Sequence, residues 1–430
     1  MPPTRKIQGP PGTRDFYPQD MAWHRHLLDA WLRVSVRNGF EEVDGPIFET
    51  LELYKVKSGE GIVSELFSFR RTGGKTDFAI RPEFTPTLAR MVAAKASALP
   101  KPIKWFATPN FCRAERPQRG RLREFWQWNV DLLGLDTPAA DAEVIFTCVD
   151  LLAELGLDAT QMKVKISHRD VVRQVLEKLG VAEDKLGDAF VLLDKRDKLP
   201  PDEFTKLAGG LGLNEHKVAR FEEVCRRKYA SGDLDHLARS LAMDTPPEDL
   251  VALDAQLRAF GIADWCEYDL GIVRGLAYYT GTVFEVHEAT GVERAIAGGG
   301  RYDKLIELFG GPKMPGIGFG MGDVVLSNVL ADKGLIPDEV GDRPDAFVFA
   351  VDDAGAVSVP GIVSELRRAG LHARMTYKTT RNVGKLLKDA TACNARFAVM
   401  VGAETQIKNL GSGEQQQVDP AEIPSIVGAV

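Results

Sequence analysis

Residues 113 to 123 read RAERPQRGRLR, placing five arginines (Arg113, Arg116, Arg119, Arg121 and Arg123) in eleven positions of a chain whose formal net charge is −7. Guanidinium groups suit anions because each presents a planar fork of donors. The run that follows, REFWQWNVDLLG (123–134), alternates with a period of two. Arg123, Phe125, Gln127, Asn129 and Asp131 therefore share one strand face, and Glu124, Trp126, Trp128 and Val130 share the other. On the preceding run, KWFATPNFCRAE (104–115), Phe111, Arg113 and Glu115 align. Such a surface offers a ring for stacking, a fixed guanidinium for an anion, and acceptors for an ammonium or an imidazole N–H. For an isolated charge run a solvated edge hairpin is the plainer alternative, but the mixed aromatic, amide and carboxylate face weighs against it.

Three other stretches could do chemistry. PGIGFGMG (315–322) sets Gly316, Gly318, Gly320 and Gly322 at alternate positions. On a strand this bares one face, so that either a flat ligand or a tightly packed neighbour can reach the backbone. It is not a GxGxxG dinucleotide fingerprint. LGIVRGLAYYTGTVFEV (270–286) carries Arg274 ahead of Tyr278 and Tyr279, although adjacent tyrosines alone are ordinary strand formers. RMTYKTTRNVGKLLK (374–388) holds five cations (Arg374, Lys378, Arg381, Lys385 and Lys388) and no acid, a stripe for RNA phosphates or one solvated helix face.

The elements that must hold these residues follow from periodicity. DMAWHRHLLDAWLRVSVRNGF (20–40) spaces Trp23, Leu27, Leu28 and Trp31 as a helix and ends at Gly39, a left-handed terminator. GFEEVDGPIF then extends around Pro46, and the two runs flanking the arginines predict a hairpin with a long loop. From about 141, DAEVIFTCVDLLAELG predicts a helix leading to a strand, MKVKISH. Residues 169–262 are charged and of helical period, with one break at DKRDKLPPDE, and read as a helical insertion. Strands resume at 266–287 and near 316–322, and ADKGLIPDEVGDRP (331–344) has the composition of a linker. The tail alternates AFVFAV, a helix near SELRRAG, HARMTY, a helix near VGKLLKDA, and RFAVMVG, a βαβαβ pattern for a small α/β domain.

Composition limits the function classes. With 430 residues, 44% hydrophobic and 27% charged, the chain is globular and long enough for two or three domains, which excludes fibrous and disordered classes. Cys112, Cys148, Cys225, Cys266 and Cys393 form no CxxC pair and have no closely spaced histidines, so neither a disulfide framework nor a zinc site is expected and a reducing cytoplasm fits. The N-terminus lacks an apolar h-region and no run of 18 apolar residues occurs, which argues against secretion and membrane spanning.

Taken in order, PPGTRDFYPQD (10–20), GFEEVDGPIFE, AIRPEFTPTLAR (79–90), FCRAERPQRGRLREFWQWNVD, LGIVRGLAYYTGTVFEV, AGGGRYDKL (297–305) and PGIGFGMG resemble the histidyl-tRNA synthetases, a class II aminoacyl-tRNA synthetase family, over nearly the whole chain. The resemblance implies an α+β catalytic domain, an antiparallel sheet flanked by helices, in two parts (1–168 and 263–330) around a helical insertion (169–262). A linker (331–344) and an α/β anticodon-binding domain (345–430) follow. It implies ligation of L-histidine to tRNA(His) through histidyl-adenylate, with ATP as substrate, Mg2+ accompanying it, and a cytoplasmic homodimer built around Pro46.

Residue roles carry over position by position. Arg113 would grip the α-phosphate, Phe125 would lie beneath adenine, Glu115 would take its amino group, and Arg121 and Gly320 would complete the ATP set. Glu83 and Thr85 would hold the α-amino group, with Phe84 between them in the histidine set, while Gln127 and Asp131 would contact histidine, Asp131 accepting an imidazole N–H. Arg274 would bridge carboxylate and α-phosphate, forming with Arg113 the catalytic pair, and Tyr278 and Tyr279 would line the imidazole pocket. Arg116, Gln118, Arg119 and Lys385 would face tRNA, and no protein metal site is implied.

Three places depart from the family pattern. Phe84 stands where the family has glycine, Ala277 where aspartate is common, and Val324 and Val325 where motif 3 usually continues Glu-Arg, its arginine on the γ-phosphate. Neither valine binds phosphate and Asp323 is no cation, which leaves Mg2+, Arg113, Arg121 and Arg123 for the triphosphate. This loss favours a rival, a catalytically silent paralogue that binds histidine and regulates ATP phosphoribosyltransferase. Arg113, Arg274, the arginine loop and the tail domain oppose it. An RNA-binding module without catalysis would explain the basic patches but not the tyrosine pair.

Overall fold

The structure, a computed structural model, describes residues 7–58, 60–196, 199–272, 279–291, 293–337 and 339–429. It divides into two compact units, residues 1–338 and 339–430. Helix Asp323–Asp332 takes in the first residues of the expected linker.

Strands of the first unit are β1 (Glu41–Glu42), β2 (Phe48–Thr50), β3 (Ser68–Arg70), β4 (Asp77–Ile80), β5 (Ile103–Ala107), β6 (Asn110–Cys112) and β7 (Glu124–Leu133). They continue with β8 (Met162–His168), β9 (Tyr229–Ala230), β10 (Cys266–Tyr268), β11 (Thr282–Glu288), β12 (Ala297–Arg301) and β13 (Gly316–Gly322). One sheet runs β1-β5-β7-β13-β12-β11-β8-β10-β9, with β6 also on β7, and a second, small sheet runs β2-β4-β3. The large sheet is antiparallel as expected, except that β1 pairs with β5 and β10 with β8 in parallel. A parallel pair requires a long crossover between its strands. The small sheet and helix Thr85–Lys95 lie between β1 and β5, and the helical block lies between β8 and β10.

Alternation along β7 sends its two side-chain rows to opposite cores. Trp128, Val130 and Leu132 join helices Pro18–Arg37 and Pro138–Glu154, while Phe125 and Leu133 pack with helix Thr85–Lys95. On the first side Trp31 and Trp128 stack with centroids 6.4 Å apart. Ser35 ties them, accepting from Trp128 Nε1 at 2.8 Å and donating to the Trp31 carbonyl at 2.7 Å. The helix bearing Trp31 ends at Arg37, with Gly39 at φ 77°, the left-handed conformation that glycine adopts without strain.

The described part of residues 169–262 is mainly helical and shows no separate core. Leu250, Leu253 and Leu257 of helix Glu248–Ala259 belong to the same cluster as Val144 and Ile145 of helix Pro138–Glu154, and β9 extends the edge of the large sheet. β12 holds three consecutive glycines, too few strand formers to be legible as a strand.

The second unit shows the βαβαβ alternation through β14 (Ala346–Ala350), helix Asp353–Arg368, β15 (Ala373–Met375), helix Val383–Ala392 and β16 (Phe397–Val401). Two polar strands, β17 (Gln406–Asn409) and β18 (Gln415–Gln417), extend it in the order β15-β14-β16-β17-β18. Among the described residues no helix is long and apolar enough to cross a membrane.

Candidate active site

The arginine stretch is a hairpin loop. β6 and β7 pair Phe111 with Phe125 and Cys112 with Glu124, and the Arg113 N–H donates to the Arg123 carbonyl at 2.8 Å. Gln118 and Arg121 exchange backbone hydrogen bonds of 2.9 Å around Gly120, which closes the tip at φ 71°.

The five arginines are used differently. Arg113 lies over the Phe125 ring, 5.0 Å from its centroid, and donates from Nε to the Pro82 carbonyl at 3.1 Å. Arg121 pairs with Glu115 at 2.5 Å. Arg119 reaches away from the hairpin to Glu293 at 2.5 Å and Asp332 at 2.8 Å. Arg123 donates to the Glu115 carbonyl at 3.1 Å. Arg116 and Gln118 are exposed. The charge run is thus partly neutralised by acids distant in sequence.

Beside the hairpin lies a cleft of about 770 Å³. Arg113, Arg121, Phe125, Gln127 and Gly320 line it, so five positions assigned from sequence converge on one cleft. Val324 and Val325, in the first turn of helix Asp323–Asp332, line it too. Asp323 is buried, accepting from Arg14 at 2.6 Å and from the Trp126 N–H at 3.0 Å. Sequence reasoning missed Glu285, His287 and Arg294, which also line the cleft. Glu285 and Arg294 carried no signal beyond charge, and only the pairing of β11 and β12 beside β13 brings them to the cleft.

Of the residues assigned to histidine, Arg113 and Gln127 line this cleft, whereas Asp131, Glu83, Phe84, Thr85 and Tyr279 are not among its lining residues. Asp131 is buried and accepts a hydrogen bond from the Tyr302 hydroxyl. Burial pushes its carboxyl up to about 7, opposed by the Tyr302 hydrogen bond and the Lys57 charge. Glu83 forms an ion pair with Lys57, whose side chain is 1% exposed. Phe84 is core rather than pocket: its ring is buried with Leu88 and Tyr279. Its φ of −94° and ψ of −30° need no glycine, which explains why the departure at this position is tolerated. Thr85 begins the following helix, half-buried, and Tyr279 is buried. Arg274, Ala277 and Tyr278 lie outside the described residues.

Of the two uses expected for the alternating glycines, the tightly packed neighbour is the one seen. A Cβ on Gly320 would meet the Gln127 side-chain carbon at 2.7 Å, so this glycine makes room for the amide on the neighbouring strand, while a Cβ on Gly322 would meet nothing. In the tail, the stripe is acid-free only in sequence. Lys378 pairs with Asp389 at 2.6 Å and Arg381 with Asp353 at 3.2 Å.

Comparison with known proteins gives the family. Residues 12–323 match the family described as histidyl-tRNA synthetase, and residues 347–429 match the anticodon binding domain. The histidine–tRNA ligase of Natronomonas pharaonis is 39% identical over 420 residues, covering 96% of each chain. The chloroplastic/mitochondrial histidine–tRNA ligase of Arabidopsis thaliana is 37% identical, covering 97% of this chain and 86% of its own. Among solved structures, histidyl-tRNA synthetase from Nostoc sp. PCC 7120 superposes with a TM-score of 0.79 at 24% identity, covering 99% of both chains. A Bacillus halodurans protein described as an ATP phosphoribosyltransferase regulatory subunit/histidyl-tRNA synthetase has the same fold, with a TM-score of 0.72 at 21% identity over 92% of this chain and 98% of its own. A family match over most of the chain and relatives well above 30% identity along its length place this chain in the histidyl-tRNA synthetase family.

Proposed function

We infer that this chain is a histidine–tRNA ligase: it joins L-histidine to ATP to give histidyl-adenylate and pyrophosphate, then passes the histidyl group to the terminal ribose of tRNA(His). The observation that carries this reading is the single cleft in which Arg113, Arg121, Phe125, Gln127 and Gly320 meet. A carboxylate attacking the α-phosphorus brings two anions together, and positioned cations supply most of the stabilisation. In this reading Arg113 holds the α-phosphate, Phe125 supports adenine, and Gln127 spans the junction of nucleotide and amino acid. Asp131 and Tyr279, both buried, read the imidazole, and Glu83, shared with Lys57, takes the ammonium. Arg274 and Tyr278 keep the roles their motif implies.

Magnesium fits as a companion of the triphosphate. Glu285 puts a carboxylate on the cleft wall, 2.9 Å from His287 Nε2, and Mg2+ is ordinarily held by one or two carboxylates, phosphates and water. The metal would neutralise phosphate charge there. The reading includes a cytoplasmic homodimer; exposed Ile47, Phe48, Phe67 and Phe69 around the small sheet supply the apolar face such a dimer would cover. Arg116 and Lys385 are the assigned tRNA contacts that no acid engages among the described residues.

Histidine-dependent exchange of pyrophosphate into ATP, with aminoacylation of tRNA(His), tests the reading. Activity in both supports it. A folded protein that binds histidine but shows no exchange would instead be the regulatory paralogue.

A further inference from the structure

We propose that Arg294 holds the outer phosphates of ATP, supplying from the loop before β12 the cation that the first turn of helix Asp323–Asp332 lacks. This rests on the ligase reading and names a residue which that reading leaves out.

A triphosphate brings about four negative charges, and cations in a low-dielectric cleft are the groups that hold it. On the cleft wall, Val324 and Val325 are uncharged, and Asp323, just outside it, is taken by Arg14. Arg121 is paired with Glu115 at 2.5 Å. Arg113 and Arg294 are the cleft-lining arginines that form no ion pair among the described residues, although the Glu115 charge is felt at Arg294. Arg113 is fixed over Phe125, where the adenine end of a nucleotide would lie, so the α-phosphate falls to it. Arg294 stands by the hairpin tip and Val325: a Cβ on Gly120 would lie 3.3 Å from Val325 Cγ2 and 3.9 Å from Arg294 Cδ.

The position of Arg294 is prepared by its neighbour. Glu293, nearly fully buried, receives Arg119 from the hairpin at 2.5 Å, and this pair clamps the Arg294 segment against the arginine loop. Arg294 is exposed to solvent, and its partial desolvation with the adjacent Arg121 charge lowers its pKa, Glu115 opposing them. Two guanidiniums sharing a cleft repel each other until an anion lies between them, which favours a polyanion over a single charge.

The test uses Arg294→Ala and Arg294→Lys in the full-length protein without tRNA. Calorimetry would measure the β,γ-imido analogue of ATP and a sulfamoyl mimic of histidyl-adenylate, which has no outer phosphates. Loss of a charge-assisted phosphate contact should weaken the ATP analogue by roughly 10–100-fold and raise the KM for pyrophosphate in exchange, with lysine recovering part. The adenylate mimic should bind as in wild type, which also reports an intact fold. Equal weakening of both ligands, or unchanged binding of the ATP analogue, would each overturn the assignment. A wild type without histidine-dependent exchange, but with this same ligand pattern, would strike the ligase reading and leave the phosphate contact standing.

Discussion

Gly318 and Asp131 face each other on adjacent strands so closely that a Cβ on the glycine would lie 2.1 Å from Asp131 Oδ1 and 2.7 Å from the Val130 carbonyl. The carboxylate occupies the place of the missing side chain. Gly318→Ala should therefore displace Asp131 or part the strands, destabilising the first unit by about 1–3 kcal/mol and weakening histidine binding. Thermal unfolding and histidine calorimetry check both. An alanine variant of unchanged stability and affinity would show that the strands adjust freely.

Asp131 should also make stability and binding depend on pH. Its folded pKa of about 7 lies above its ordinary 3.8, so the folded chain keeps the proton after the unfolded chain has lost it. Its contribution to stability therefore declines as pH rises from about 4 to about 7, and Asp131→Asn should remove that slope from denaturation midpoints. Binding should move the opposite way. A protonated Asp131 resembles the amide of asparagine, so wild type and variant should bind histidine alike near pH 6 and diverge towards pH 8, wild type being tighter. A ratio of affinities that stays constant would mean that Asp131 does not receive the imidazole.

Arg301 anchors the end of β12 through a buried ion pair with Asp141, their side chains being 8% and 6% exposed. Removing one member leaves a charge without its main partner, since Asp136 and Asp303 pair with Arg301 from more exposed positions. Asp141→Ala should cost about 3–5 kcal/mol of stability, a loss measurable in urea midpoints. A loss of only a few tenths would mean that Asp136 and Asp303 suffice.

Charges already satisfied within the protein release few counterions when RNA binds. Arg116→Ala and Lys385→Ala should each reduce the salt slope of tRNA binding by about 0.7–0.9. Arg119→Ala and Lys378→Ala should reduce it less, because Glu293, Asp332 and Asp389 hold those cations. Equal slopes for all four variants would show that the internal pairs open on binding.

The sequence by itself determined the family, the alternating faces of β7, the arginine hairpin and the helical block, because these depend on periodicity and on neighbours within a few residues. Two-residue spacing suffices to put Phe125, Gln127 and Asp131 on one face, and Gly318 and Gly320 on another. Tertiary structure alone decided which partners those faces meet. β13 beside β7 turned the alternating glycines into room for Asp131 and Gln127. The register of β12 with β13 and the ion pair of Arg119 with Glu293 carried Arg294 to the cleft. Acids far along the chain neutralised cations that looked free in sequence, Asp389 for Lys378 and Asp332 for Arg119. The physical reason is the same in each case: local pattern fixes where a side chain points, whereas its charge balance, its burial and hence its pKa depend on segments that meet it only when the chain folds.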